Sequence, residues 1–133
     1  MKEILQALTE NPTFYLATNS PAGPRVRPFG FVMEYESKLY FLTSNDKDVF
    51  KQLKADSRFE VCSTPKDGMA WMRLKGKAVF DTRKEIIKKV FEIAPFLEQI
   101  YQTPDNPIIE LFYIAEGEAT FYSFMGEPKT VKL

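Results

Sequence analysis

The chain has 133 residues, 44% of them hydrophobic and 27% charged, and its 18 basic and 18 acidic residues cancel. That composition suits one soluble domain, taken as 1–133, and the balanced charge argues against nucleic acid as the partner. With no histidine and the single cysteine Cys62, the sequence excludes a Ser-His-Asp triad, a His-ligated zinc or haem, a four-thiolate iron–sulfur cluster and an internal disulfide.

No apolar stretch approaches the roughly 20 residues that span a bilayer. The N-terminus shows no basic segment followed by an apolar run. The protein is therefore expected in the cytoplasm, away from the membrane.

Taken in chain order, residues 2–10 carry Ile4, Leu5 and Leu8 at helical spacing, and Asn11-Pro12 stops the helix. A β-rich run over 13–19 precedes the turn Ser20-Pro21-Ala22-Gly23-Pro24. Residues 25–36 are read as one strand, edge-lying or bulged at Pro28 and Gly30, and 38–43 as a third strand that closes a meander. Val49, Phe50 and Leu53 predict a short amphipathic helix over 46–55, with Ser44, Asn45 or Asp46 as its N-cap.

A strand over 58–63 leads to a hairpin turn at Pro65-Lys66-Asp67-Gly68, with glycine where positive φ is needed. A long strand over 70–81 contains Gly76. Thr82-Arg83-Lys84-Glu85 has the form of a capping box, which opens a helix through Phe91 and Ile93 toward Pro95. A further helical turn is expected over 96–101 and a polar loop over 103–107. A strand over 108–115 then turns at Glu116-Gly117-Glu118 into a last strand over 119–124, and the tail 126–133 shows no pattern. Six or seven mostly antiparallel strands with helices between them predict an α+β barrel.

Two segments carry chemistry. In Gly23-Pro24-Arg25-Val26-Arg27-Pro28, the arginines sit two apart in an extended run, so both guanidiniums project to one side. Arginine forks suit phosphate oxygens, although a pair of solvated edge-strand charges is the commoner fate of such residues. Some fifteen residues on, Leu42-Thr43-Ser44-Asn45-Asp46-Lys47 runs from an apolar strand through a hydroxyl pair into a helix start. A helix N-terminus favours an anion, and Lys47 there opposes the helix dipole unless an anion binds nearby. Cys62 lies in an apolar run and is read as a small buried hydrophobe.

In order and spacing these segments resemble the pyridoxamine 5′-phosphate oxidase-like family of FMN-binding split barrels, over nearly the whole chain. The resemblance implies a mostly antiparallel, Greek-key-like split β-barrel with flanking helices. It also implies FMN as cofactor, held by Arg25, Val26, Arg27, Pro28, Leu42, Thr43, Ser44 and Lys47. In the family, the residue five before the glycine of a Gly-x-Ala strand approaches the flavin from the partner subunit; here that residue is Trp71, in Trp71-Met72-Arg73-Leu74-Lys75-Gly76-Lys77-Ala78. A lone tryptophan is more often a core or interface residue, and Trp71 shares one strand face with Arg73 and Lys75.

The resemblance further implies a homodimer with FMN at the subunit interface. The expected role is an oxidoreductase passing electrons or hydride from a reduced nicotinamide to a small acceptor. A non-catalytic flavin sensor or carrier, or a deazaflavin-binding reductase, are the alternatives. The C-terminal Trp, Arg and His by which true pyridoxamine phosphate oxidases hold their product have no counterpart in Phe121-Tyr122-Ser123-Phe124-Met125-Gly126 and the tail, so vitamin B6 oxidation is not expected. Arg27 is expected to lie in solvent, so that its removal would cost little stability.

Overall fold

The computed structural model describes residues 1–133. Its elements are α1 (Lys2–Thr9), β1 (Phe14–Ser20), β2 (Gly23–Phe29), β3 (Val32–Tyr35), β4 (Lys38–Ser44), α2 (Asp48–Ala55), β5 (Arg58–Ser63) and β6 (Ala70–Phe80). There follow α3 (Lys84–Ile93), a 3₁₀ turn (Pro95–Leu97), α4 (Glu98–Tyr101), β7 (Ile109–Ser123) and β8 (Lys129–Lys132). Eight antiparallel strands form one sheet in the order β2-β1-β5-β6-β7-β4-β3, with β8 on β7. The fold is an α+β split barrel. No helix is long and apolar enough to cross a membrane.

The split lies at Gly30-Phe31. Instead of one strand over 25–36, β2 ends at Phe29 and β3 begins at Val32, at opposite edges of the sheet. The expected meander therefore does not form. Pro28 cannot donate a ladder hydrogen bond, which suits β2 to an edge. β1 pairs with β2 and β5, while β3 turns back on β4 through Glu36 and Ser37, both at positive φ (51° and 60°). The predicted hairpin glycine, Gly68, does adopt positive φ, at 66°.

Inward residues of β1, β4, β5, β6 and β7, together with Ile4 and Leu8 of α1, fill the barrel. Phe112 on β7 sits at the centre, stacked on Phe41 (ring centroids 5.5 Å apart) and edge-on to Phe29 and Phe59. The opposite face of β4 and β7 is also covered: Tyr40, Ile109 and Leu111 pack under Ile86, Val90, Leu97 and Tyr101 from the α3–α4 segment. Burial on both faces is why Leu39-Tyr40-Phe41 reads as a continuous apolar run and not as an alternation.

Three further expectations are corrected. Glu116-Gly117-Glu118 makes no turn: β7 is continuous, and two steps on β6 (Lys75 to Lys77) span three on β7 (Glu118 to Ala115), a β-bulge with Glu116 at φ 54°. The tail is a strand, paired through Lys132 opposite Glu118 and Val131 opposite Ala119. Neither predicted cap forms. Lys47 occupies the N-cap position of α2 without a side-chain bond, and Arg83 that of α3.

Asp81 instead anchors Arg83, the N-cap residue of α3, whose first turn has no side-chain cap. Its carboxylate accepts from the Arg83 backbone N–H (3.1 Å) and guanidinium (3.0 Å) and from the Tyr40 hydroxyl (2.8 Å), while Arg83 also reaches Glu36 (2.7 Å). The Arg83 side chain, then its backbone N–H, hold the Asp81 carboxyl down at about 2. Burial, reinforced by the bond to Asp81, pushes the Tyr40 phenol up to about 12.

Gly76 faces the bulge, where an added Cβ would stand 2.5 Å from Ile114 Cγ1 and 2.7 Å from the Ala115 carbonyl oxygen. Gly76→Ala should therefore cost about 1–3 kcal/mol in urea unfolding. Gly117→Ala should cost less, because it meets only the side chain of the terminal Leu133. Asp81 supplies stability that is fully present above its unfolded pKa of about 3.8 and lost as pH falls toward about 2. Asp81→Asn should thus lower stability by about 1–2 kcal/mol at pH 7, and the gap to the parent protein should close between pH 4 and 2.

Candidate functional site

β2 is the strand that brings cations to the barrel mouth. Arg27 lies opposite Leu16 and Arg25 opposite Thr18, both inward residues of β1, so the arginines do share a face, and it is the inner one. Arg27 is not the free surface cation that the sequence suggests. Its guanidinium donates to Thr18 Oγ1 (2.8 Å), the Leu16 carbonyl (3.3 Å) and Gln52 Oε1 of α2 (2.6 Å). Burial lowers its pKa; nearby Asp48 works against this and Arg25 adds to it. Its bonded partners are all neutral, so the charge is held in place by dipoles, with Asp48 nearby but not in a salt bridge to it.

β4 supplies the floor. Leu39 and Phe41 point into the barrel, and the same parity sends Thr43 inward while Tyr40 and Ser44 face the α3–α4 side. Thr43 is 2% exposed, and its Oγ1 is buried without any hydrogen-bond partner. A buried hydroxyl left unpaired costs about 1–3 kcal/mol. Thr43 opens onto a groove of about 350 Å³ that is also lined by Arg27, Pro28, Phe29, Leu42 and Lys47. Its far wall is Phe96, Leu97, Ile100 and Tyr101, with Pro12, Gly30, Phe31 and Val49 completing it.

Of the nine residues singled out in the sequence, the structure gathers Arg27, Pro28, Leu42, Thr43 and Lys47 around this groove. Arg25 is exposed outside it, and Val26 points to the outer face, 69% exposed. Ser44 is buried with its hydroxyl beside the Tyr101 phenol, whose pKa burial raises. Trp71 lies on the outer sheet face, stacked on Tyr122 (5.3 Å, 9°) and against Phe124. Sequence reasoning missed the far wall altogether. The available signal was the spacing of Phe96, Leu97, Ile100 and Tyr101, a helical pair of stripes too wide to be buried on one side.

No carboxylate lines the groove, and Lys47 takes part in no ion pair. The groove therefore carries two cations without a direct carboxylate contact, a buried unpaired hydroxyl and apolar walls. A larger concavity of about 440 Å³ on the outer face differs in this respect, since its Lys77 pairs with Glu116 (3.0 Å), Lys75 with Glu118 (3.8 Å) and Arg58 with Asp56 (2.7 Å). Cys62, read as a buried hydrophobe, is only partly buried, on that outer face, where burial still pushes its thiol pKa up.

Comparison with known proteins gives the chain its relatives. The sequence profile described as pyridoxamine 5′-phosphate oxidase matches residues 1–121. A NimC/NimA family protein from Clostridium acetobutylicum is 42% identical, with a TM-score of 0.93 over 100% of this chain and 92% of that one. A pyridoxamine 5′-phosphate oxidase-related, FMN-binding protein from Nostoc punctiforme is 16% identical (TM-score 0.68, 99% of this chain and 95% of that one). A haem-binding protein from Mycobacterium smegmatis is 13% identical (TM-score 0.73, 96% of this chain and 56% of that one). Among curated proteins none matches. At 16% and 13% identity the likeness is one of fold, whereas the profile match spans all but the last twelve residues (133 − 121) of the sequence. The chain belongs to the pyridoxamine 5′-phosphate oxidase-like family.

Proposed function

We propose that the protein binds FMN in the groove between β2, β4 and α4 and works in the cytoplasm as an oxidoreductase, from a reduced nicotinamide to a small acceptor. The observation that carries this reading is the Thr43 hydroxyl, buried without a partner at the floor of a groove that holds Arg27 and Lys47 and no carboxylate. Such a donor set fits an organic phosphate: two positive charges, one free hydroxyl donor, and apolar surface for the rest of the molecule. FMN, when bound, supplies reversible one- and two-electron chemistry.

The chain's own residues bind and orient. Arg27, fixed by Thr18 and Gln52, offers its charge from a rigid position; Lys47, exposed at the N-cap of α2, offers a mobile one. Thr43 donates the hydrogen bond it lacks within the protein. Leu42, Phe29 and Val49 exclude water from the floor. Haem, bound by one structural relative, fits less well, since no histidine exists to ligate iron and Cys62 faces the other side of the sheet.

The proposal includes a homodimer in which Trp71 of one subunit closes over the flavin of the other. Two features support it. The outer face exposes Tyr15 (51%), Val26 (69%) and Phe124 (69%), and Trp71, Tyr122 and Phe124 form one aromatic patch there. A two-fold interface repeats the site, giving two FMN per dimer.

Purified protein should bind FMN at least tenfold more tightly than riboflavin, which lacks the phosphate; equal affinities in a fluorescence titration would rule out the cation site. Thr43→Val should weaken FMN by about 1–2 kcal/mol while stabilising the ligand-free fold by about 1 kcal/mol, because it removes the unpaired hydroxyl. A Thr43→Val protein that is less stable and binds FMN normally would place that hydroxyl in the fold and not in the site. Light scattering should show a dimer at micromolar concentration, with Trp71 emission quenched on FMN addition; a flavin-loaded monomer would refute the shared site.

A further inference from the structure

Arg27 is held from behind by a side chain that does not itself line the groove. Gln52, half-buried on α2, takes two bonds on one oxygen: its Oε1 accepts from Thr18 Oγ1 (2.6 Å) and from Arg27 Nη2 (2.6 Å). Thr18 Oγ1 in turn accepts from Arg27 Nη1 (2.8 Å). Each bond in this triangle has a forced direction. Arginine can only donate, so Gln52 must present its oxygen, and Thr18, whose oxygen takes the Arg27 bond, gives its own proton to Gln52. Because Thr18 and Gln52 are bonded to each other, they cap the end of the guanidinium together, and the Leu16 carbonyl takes the other Nη1 hydrogen (3.3 Å). The side edge of the fork, Nε–H with the second Nη2–H, has no partner in the protein.

We propose that Gln52 is a positioning residue that sets the charge class of the ligand: holding Arg27 with a neutral oxygen, it keeps the side edge and the charge of the guanidinium for an anionic group. This rests on the flavin reading above and adds the residue behind its phosphate contact. A carboxylate at position 52 would make the same two bonds, each strengthened by charge. The fold would accept it equally well. What the amide preserves is a cation with no anion in contact with it. The charges around the clamp leave that intact. Asp48, one turn earlier on α2, favours the Arg27 charge and Arg25 opposes it, but Asp48 makes no salt bridge to Arg27. Asp46 acts on Tyr101, at the far wall. A carboxylate at position 52 would instead sit at contact distance, where an ion pair is strongest.

The test reads two quantities on each variant: FMN and riboflavin affinities by fluorescence titration, and the melting temperature of the ligand-free protein. Gln52→Glu should lower FMN affinity about tenfold, leave riboflavin within about twofold, and hold or raise the melting temperature. Gln52→Met keeps size and neutrality but offers only a weak acceptor. It should lower FMN affinity about threefold and lower the melting temperature, because Arg27 keeps its charge and loses its hold. A Gln52→Glu protein with the parent's FMN-to-riboflavin ratio would overturn the assignment. So would one that loses both ligands equally, since that marks a distorted groove. If Gln52→Glu does not fold, Gln52→Met decides, and unchanged FMN affinity in that variant overturns the proposal. A parent protein that takes up no FMN would refute the flavin reading instead. In that case 1-naphthyl phosphate and 1-naphthol, titrated into parent and Gln52→Glu protein, decide Gln52 separately: an about tenfold loss of the phosphate alone supports it, and equal binding of the two probes, or none, overturns it.

Discussion

The ring of Phe112 holds this barrel shut. Its sheet has two free ends, β2 and β3, joined by Gly30-Phe31 but not by a ladder of hydrogen bonds. Closure falls to side chains. Phe29 from the β2 end, Phe41 from β4, Phe59 from β5 and Phe80 from β6 all meet Phe112 at centroid distances between 5.5 and 6.4 Å. Aromatic packing tolerates an open seam where backbone pairing would not, because it is held by area and edge geometry, not by register. The seam is also where the groove opens, bordered by Phe29, Gly30 and Phe31.

Given that closure, strand parity assigns the chemistry. β4 must bury Leu39 and Phe41 in the barrel and Tyr40 under α3, so Thr43 can only point inward, at the end where the barrel core gives out. Its hydroxyl finds no partner there, while Arg27, which lines the same groove, turns its bonds to Leu16, Thr18 and Gln52. An unpaired buried hydroxyl near a partly desolvated cation is a local cost that the fold carries elsewhere, as binding sites commonly require.

The far wall depends on a different contact set. Asp81, gripped by Arg83 and Tyr40, anchors the start of α3 where the helix can lie across the outer face of β4 and β7, and Arg83 ties the same point to Glu36 in the β3–β4 turn. From there Ile86, Val90, Leu97 and Tyr101 pack in succession, which turns Phe96 and Ile100 toward the groove. A structural ion network on one side of the sheet thereby shapes a binding surface at its edge.

Much of this was legible in the chain itself. Periodicity marked α1, α2 and α3, the β-rich runs marked most strands, and Gly68 marked its hairpin, since each depends on local backbone or burial preference. The two-apart arginines and the Leu42-Thr43-Ser44 run pointed to the segments that border the groove, although Arg25, Val26, Ser44 and Trp71 do not line it. What the sequence could not decide are features that depend on distant partners. The split at Gly30, the bulge at Glu116 and the pairing of β8 depend on which strands lie alongside, and a bulge and a turn look alike in Glu116-Gly117-Glu118. The same limit hid Asp81 as the anchor of Arg83 at the start of α3, the burial of Arg27 against α2, and the approach of Phe96 and Ile100 to Thr43 across more than fifty positions of sequence. Local pattern sets which way a side chain points from its own strand or helix; only packing decides what it finds there.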